Sequence, residues 1–298
     1  MNDVLFIVGC DKSRLPWIGS IETKITICSY TKERFANDEY LIVLPRTFEF
    51  GDRAFIFIDA RVSASEILFE LGLLVSAIRS GFDGEIIGIL SYMPFSRSSR
   101  RDGPGFSLGA KVLAGIIDSF RFSKIICCEL HAPEVEGFFQ TPVKLISMKK
   151  SIIEAIDGLG IEVIVAPDAG RRRECLQLSN ELGISSFTLV KERSSASSVT
   201  QALAAIDLTN VFEGKNVLIY DDEVLTGTTV KLASGLLRAN GARYVAFAVS
   251  HLNGYSEAVY NVLNSFDKII VADTAPPSFG GVNVSYIDYS SIIDDIFG

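Results

Sequence analysis

The chain is short of positive charge. Its 28 Lys and Arg against 36 Asp and Glu leave a net charge of −8 and a sequence pI near 5.0, so no basic face is expected for nonspecific binding of nucleic acid or anionic membranes. A polyanionic ligand must be met by local cations. Histidine is scarce too, with two in the chain. The five cysteines (Cys10, Cys28, Cys127, Cys128 and Cys175) are an odd set without C-x-x-C spacing, so neither a disulfide framework nor a zinc site is expected. Four lie in or near apolar stretches, where a free thiol behaves as a small hydrophobe. No apolar run reaches the roughly 18 residues of a membrane helix. The opening MNDVLFIVGCDK has an acid and a short apolar run, not the basic region of a signal peptide. A low-complexity tail and a fixed-period repeat are also absent, and a reducing cytoplasm is the expected location.

What is present is a large apolar content, 48% of 298 residues, enough for one large core or two domains of about 150 residues. Short continuous apolar runs at Val4–Val8, Tyr40–Leu44, Ala54–Asp59, Ile86–Leu90 and Lys124–Cys128 have strand length. Between them Ser63–Ser80 and Ser107–Phe120 carry helical spacing, the first with Ser63 three residues before Glu66 as in a capping box. The second half repeats the alternation. Its strands are predicted at Glu162–Ala166, Phe187–Val190, Val217–Tyr220, Tyr244–Val249 and Lys268–Ala272, and its helices at Arg171–Leu182, Thr226–Asn240 and Tyr255–Ser265. The pattern predicts α/β domains with mostly parallel sheets flanked by helices, divided at the polar MKKS turn into residues 1–145 and 146–298. Two halves of equal size suggest a duplication.

In open α/β sheets ligands sit beyond the carboxyl ends of strands, and five predicted strand ends carry basic or metal-capable clusters. They are Arg97 to Asp102; Glu129-Leu130-His131; Asp168 with Arg171, Arg172 and Arg173; Lys191 with Arg193; and Asn216–Ala233, NVLIYDDEVLTGTTVKLA. The last reads as a strand, two carboxylates (Asp221, Asp222), then a Thr226-Gly227-Thr228-Thr229 loop opening a helix. Such a loop leaves backbone N–H groups aimed at one point where the helix dipole favours an anion, which makes a phosphate cradle. A plain strand-to-helix turn capped by Asp and Thr is the alternative. Three arginines at a helix start oppose the dipole and need an anion or exposure to explain them.

These stretches, in order, resemble the ribose-phosphate pyrophosphokinases. The most specific are ELHAPEVEGFFQTPV at Glu129–Val143, VAPDAG at Val165–Gly170, VKER at Val190–Arg193 and DDEVLTGTT. Phe35-Ala36-Asn37-Asp38-Glu39 and Met93-Pro94-Phe95-Ser96-Arg97 resemble the family's F-x-[ND]-x-E and P-Y-x-R segments. The resemblance implies two phosphoribosyltransferase-type domains with ATP bound between them, in a homo-oligomer of at least two subunits. It implies Mg2+-dependent transfer of the β,γ-diphosphoryl group of ATP to the anomeric hydroxyl of ribose 5-phosphate, releasing AMP. Thr226, Gly227, Thr228 and Thr229 would hold the 5-phosphate, Asp221 and Asp222 the ribose hydroxyls. His131 and Asp168 would touch magnesium, Lys191 and Arg193 on a closing loop the transferring group, and Arg97 the ATP phosphates. Phe35, Asn37 and Glu39 would meet adenine or its ribose, with His131 also on the nucleotide side.

The chain departs from the family's pattern at several places. Leu225 replaces a third loop acid, Glu129 the Asp of D-L-H, Glu134 and Glu136 two glutamines, Ser98-Ser99 a Gln-Asp pair, and Arg171-Arg172 small residues. Three other readings follow: the same chemistry on an acceptor with a second phosphate, such as ADP-ribose; a type I phosphoribosyltransferase; and a catalytically weak regulatory partner of a synthetase.

Overall fold

The computed structural model describes residues 3–46, 49–61, 63–195, 198–203, 211–253, 257–276 and 283–298, with the backbone alone for 190–195, 198–203, 257–258 and 291. By contacts the chain divides into Met1–Ser147 joined by Ser290–Gly298, and Met148–Tyr289. In the first unit the strands are β1 (Asp3–Val8), β2 (Ile25–Cys28), β3 (Thr31–Arg34), β4 (Tyr40–Val43), β5 (Arg53–Asp59), β6 (Glu85–Tyr92), β7 (Lys124–Cys128) and β8 (Val143–Ile146). The helices are α1 (Ile18–Ile21), α2 (Ala64–Arg79) and α3 (Gly109–Ser119).

Strands such as Ala54–Asp59 are buried at every residue, and a strand apolar on both faces is stable only in a sheet covered on both sides. Six strands accordingly form a parallel sheet in the order β2-β1-β5-β6-β7-β8, with Val4 opposite Ala54 and Val8 opposite Ile58. Helix α2 buries Ile67, Leu71, Leu74, Val75 and Ile78, the three- and four-residue spacing of one helical face.

Three expectations change in this unit. Tyr40–Val43 is a strand, but it pairs antiparallel with β3 in a separate two-stranded hairpin. The β3 sequence TKER is exposed throughout, so no apolar pattern marked it. Ser63 precedes α2 with a left-handed backbone, φ 53°, and no side-chain cap bond; a capping box needs the extended backbone that points its hydroxyl at the first turn. The last helix, Ser290–Phe297, belongs with this unit and not with 146–298. Its Ile292, Ile293 and Ile296 are buried. The Phe297 ring lies 5.0 Å from Phe55 and 6.0 Å from Trp17, and Arg53 Nη2 donates to the Phe297 carbonyl at 3.2 Å. Burying each isoleucine contributes about 1.5–3 kcal/mol, which holds the helix to this unit's core.

The second unit comprises α4 (Lys149–Ile156), β9 (Val163–Ala166), α5 (Arg172–Leu182), β10 (Ser185–Ser195), β11 (Ser198–Leu203), β12 (Asn216–Val224), α6 (Thr228–Ala239), β13 (Tyr244–Leu252), α7 (Glu257–Leu263), β14 (Lys268–Val271) and β15 (Val284–Tyr286). Its sheet runs β11-β10-β9-β12-β13-β14-β15, parallel except for the β10–β11 hairpin. Strand order reverses direction at β9, which lies between β10 and β12, just as it does at β1, between β2 and β5. The crevice beside such a reversal is where α/β sheets hold ligands.

Candidate active site

Strand β12 buries Val217–Tyr220 and continues beyond them, so that Asp221 and Glu223 stand opposite Val249 and His251 of β13. The two carboxylates thus sit within the sheet's end, not in a loop. Asp221 is half-buried, and its Oδ1 accepts the Asp222 N–H at 2.9 Å. Burial pushes its carboxyl well above the usual carboxylate range; the Asp222 charge adds to the rise, Asp168 contributes, and Arg171 opposes it.

Asp222 is 2% exposed. Its Oδ1 lies 3.3 Å from Nε of Arg171, which is equally interior. Arg171 reaches that place because β9 ends at Ala166 and Pro167, after which Asp168 caps a 3-10 turn, Ala169–Arg171, by accepting the Gly170 N–H at 2.9 Å. Burial alone would make the guanidinium easier to deprotonate; the carboxylates of Asp222, Glu174 and Asp221 more than offset this and hold it charged. Arg172 and Arg173 are exposed. The arginine run is therefore split between one buried ion-pair partner and two solvated neighbours. Behind the site Cys175 is buried, its thiol pushed up by burial and then by the Asp221 charge.

Asp222, Glu174 and Asp221 are three carboxylates acting on one guanidinium, and Asp168 acts in turn on Asp221. An unbalanced set of oxygen donors suits a hard divalent cation such as magnesium, which takes carboxylates and retains water.

Gly227 precedes α6 with φ +73°, and a Cβ there would fall 2.8 Å from Cγ1 of Val262 on α7. Both the backbone angle and the neighbour exclude a side chain. The turn presents Thr226 and Thr228 to solvent with their hydroxyls 3.3 Å apart, and Thr229 is half-buried. The helix opens at Thr228 and buries Val230, Ala233, Ser234 and Leu237. First-turn N–H groups have no intrahelical acceptor, and a helix start of this form suits an anion. Leu225 is 42% exposed beside it.

Two acids were passed over in the sequence. Glu223, buried, accepts from Asn253 Nδ2 at 2.8 Å, and Asp273, fully buried, accepts the backbone N–H groups of Leu252 and Ala275, both at 2.9 Å. Glu223 follows two other acids on the strand, a signal that was available; Asp273 follows β14 in an apolar context and organises backbone.

Phe35, Asn37 and Glu39 come together at the exposed tip of the β3–β4 hairpin. Bonds from Phe35 N–H to the Glu39 carbonyl (2.8 Å) and from Asp38 N–H to the Phe35 carbonyl (3.1 Å) close that tip, and the Phe35 ring is 52% exposed. Asn37 Oδ1 accepts the Glu39 N–H at 3.3 Å, so part of its polar capacity shapes the turn. Arg97 is exposed in the loop after β6. That loop is tied to α3 by Ser98, whose hydroxyl donates to the Ser107 carbonyl at 3.2 Å and accepts the Gly109 N–H at 3.1 Å. His131 is half-buried after β7, beyond Glu129 at φ 55°. Lys191 and Arg193 stand in β10, opposite Gln201 and Val199 of β11. Their segment is thus a hairpin strand where a loop was expected, and their side chains lie outside the described ones.

Residues 19–120 match the family model described as the N-terminal domain of ribose phosphate pyrophosphokinase, and residues 144–273 match the phosphoribosyl transferase domain. The ribose-phosphate pyrophosphokinase of Deinococcus radiodurans is 29% identical over 227 residues, covering 74% of this chain and 68% of that protein. That of Aquifex aeolicus is 26% identical over 287 residues, covering 93% and 88%. The crystal structure of phosphoribosylpyrophosphate synthetase from Mycobacterium smegmatis superposes with a TM-score of 0.83 at 22% identity, covering 99% of this chain and 97% of that one, a likeness of fold. Two domain matches in sequence, relatives spanning most of the length, and the strand, carboxylates and glycine-capped helix start place this chain in the ribose-phosphate pyrophosphokinase family.

Proposed function

We propose that the protein catalyses Mg2+-dependent transfer of the β,γ-diphosphoryl group of ATP to the anomeric C1 hydroxyl of ribose 5-phosphate, giving phosphoribosyl pyrophosphate and AMP. The observation that carries this reading is β12 delivering Asp221 and Asp222 to the carboxyl end of the sheet and turning, through a glycine that tolerates no side chain, into the start of α6. The 5-phosphate is taken by the amides and hydroxyls of Thr226–Thr229, and the ribose hydroxyls by the acidic strand end.

The C1 oxygen attacks the β-phosphorus in line, its bond to phosphorus forms as the bond to the α-phosphate oxygen breaks, and the hydroxyl proton is released. Such a transfer needs positioning and neutralised charge more than covalent chemistry. Magnesium, with Asp168 as its carboxylate ligand in the second unit, supplies that neutralisation when bound. Phe35 offers an exposed ring for adenine, Asn37 and Glu39 polar contacts beside it, and Arg97 and His131 serve the nucleotide's phosphates. Lys191 and Arg193 stabilise charge on the transferring group. A homo-oligomer in the cytoplasm suits the family and the free cysteines. Of the candidate second readings, an acceptor with an extra phosphate loses its main cation, since Arg171 is spent on Asp222.

The test is AMP formation from MgATP with ribose 5-phosphate and, separately, with ADP-ribose. Turnover with ribose 5-phosphate is expected, with Lys191→Ala lowering kcat far more than acceptor binding. Pyrophosphate release from phosphoribosyl pyrophosphate and a base, without AMP formation, would instead identify a phosphoribosyltransferase. No turnover by a folded protein that co-purifies with a synthetase would identify a regulatory partner.

A further inference from the structure

Asp221 and Asp222 are adjacent and chemically identical, yet their surroundings differ. Asp222 is 2% exposed and held by Arg171 at 3.3 Å, whereas Asp221 is half-buried and bonded to the Asp222 N–H. We infer that Arg171 is a positioning residue that anchors Asp222 as an interior carboxylate, leaving Asp221 as the acid that receives the acceptor's ribose hydroxyls. This inference rests on the proposed reaction and assigns unequal parts to the two acids at its acceptor site.

The physical argument begins with the cost of the pair. Taking a carboxylate and a guanidinium out of water costs several kcal/mol per ion before their attraction returns it, so an interior pair at a strand end is retained when it does more than stabilise. Here the pair fixes the last turn of the path from β9 to α5 against the end of β12. Arg171 closes the 3-10 turn that begins at Asp168, and Asp222 lies in the strand that carries Asp221. The ion pair thus fixes the strand end that carries Asp221.

It also sets the local charge. Without Arg171, three or more carboxylates would crowd the same strand end, and Asp222 would be left buried and unneutralised. The Asp222 side chain would then either reorient toward solvent or take up a proton, and in both cases the Asp221 carboxylate, joined to it through the Asp222 N–H, would shift.

The experiment compares the wild type with Arg171→Lys, Arg171→Met, Asp222→Asn and the double variant Arg171→Met/Asp222→Asn. The readouts are AMP formation, KM for ribose 5-phosphate, KM for ATP, and ribose 5-phosphate affinity by calorimetry without ATP. Arg171→Met is expected to raise the acceptor KM and Kd about tenfold or more, the scale of losing a charged hydrogen-bond partner, with the ATP KM unchanged. Arg171→Lys is expected to restore most of that loss. The double variant, which removes both members of the pair, is expected to bind the acceptor more tightly than Arg171→Met alone, and to remain folded where Arg171→Met does not.

An acceptor KM equal to wild type in a folded Arg171→Met protein overturns the inference and leaves the proposed reaction standing. A lower KM in that variant also overturns it, since Arg171 would then compete with the acceptor. Equal losses in ATP and acceptor KM would mark a purely structural role and overturn it as well. A wild type that neither binds ribose 5-phosphate nor forms AMP overturns both readings.

Discussion

The two units share one strand order over six strands, the second adding the antiparallel edge strand β11, and their direction reversals, at β1 beside β5 and at β9 beside β12, invite a comparison. At the first, the acid is satisfied. Asp59, at the end of β5, is gripped by Arg61 through Nε at 2.7 Å and Nη2 at 3.1 Å, with Arg14 at 3.5 Å. Gly9, at φ +87°, approaches so closely that a Cβ would lie against the Asp59 carbonyl. Glu70 nearby takes Tyr30 Oη at 2.6 Å and Lys32 Nζ at 2.5 Å. At the second reversal three carboxylates act on one arginine, and Asp221 is held against its own charge. The same topology closes one site with cations and leaves the other short of them. Fold places the crevice; unmatched charge marks where a ligand completes it.

The largest expected effect tests the closed side. Arg61→Met would leave Asp59 buried with the residue 61 backbone N–H at 3.4 Å and the longer Arg14 contact, and breaking one partner of a buried pair costs about 3–5 kcal/mol. Denaturant unfolding should show that loss, while the acceptor KM of the folded enzyme stays at the wild-type value. A large change in KM without loss of stability would show that the first reversal takes part in function, and the contrast would fail.

Asp221→Asn is the counterpart. It should lower acceptor kcat/KM about a hundredfold, about 2.7 kcal/mol, yet raise the melting temperature by removing a carboxylate held above its ordinary pKa. The sign follows from linkage. Between the ordinary carboxylate pKa and the elevated one, the folded state keeps a proton that the unfolded state has lost, so stability falls as pH rises through that window. Melting curves from mildly acid to mildly alkaline pH should show this decline in the wild type and not in Asp221→Asn.

The units were not equally legible before folding. Runs such as AFIFI and VLIY are apolar at every position, and a doubly covered strand has no other plausible environment, so both parallel sheets could be read directly. The cradle was legible because its chemistry is local: strand, acids, small loop and helix follow one another in the chain. The β3 strand was not, since TKER owes its conformation to pairing with β4 and to the backbone bonds that close the Phe35–Glu39 turn. Nor could three consecutive arginines reveal that the first alone turns inward, because the 3-10 turn after Asp168 decides which is delivered to Asp222. The Asp59–Arg61 pair, two residues apart in the chain, carries no sequence mark of its burial, since a satisfied ion pair and a solvated one look alike in sequence.

Gly227→Ala sits between the two extremes. A side chain would meet Val262 at 2.8 Å on a backbone with φ +73°, and a residue forced into such a region costs about 1–3 kcal/mol. Relief of the clash should open the turn and weaken phosphate binding. Affinity for inorganic phosphate and for ribose 5-phosphate should fall by the same factor, whereas the ATP KM stays constant. Loss of ribose 5-phosphate affinity alone would place the phosphate elsewhere.

The smallest effect belongs to Cys10, beside Asp59 at the first reversal. Burial, and then the Asp59 charge, push its thiol up to about 12 despite the opposing charges of Arg14 and Arg61. At pH 8 only about one part in ten thousand is thiolate, so alkylation should be about a thousandfold slower than for an unperturbed thiol. Because the acid beside it is already neutralised, Cys10→Ser should leave turnover and both KM values within about twofold of wild type, a change typical of a position outside the chemistry. Rapid labelling at neutral pH would mean that Asp59 and its arginines open in solution, and a loss of turnover in Cys10→Ser would mean that the closed crevice still serves the open one.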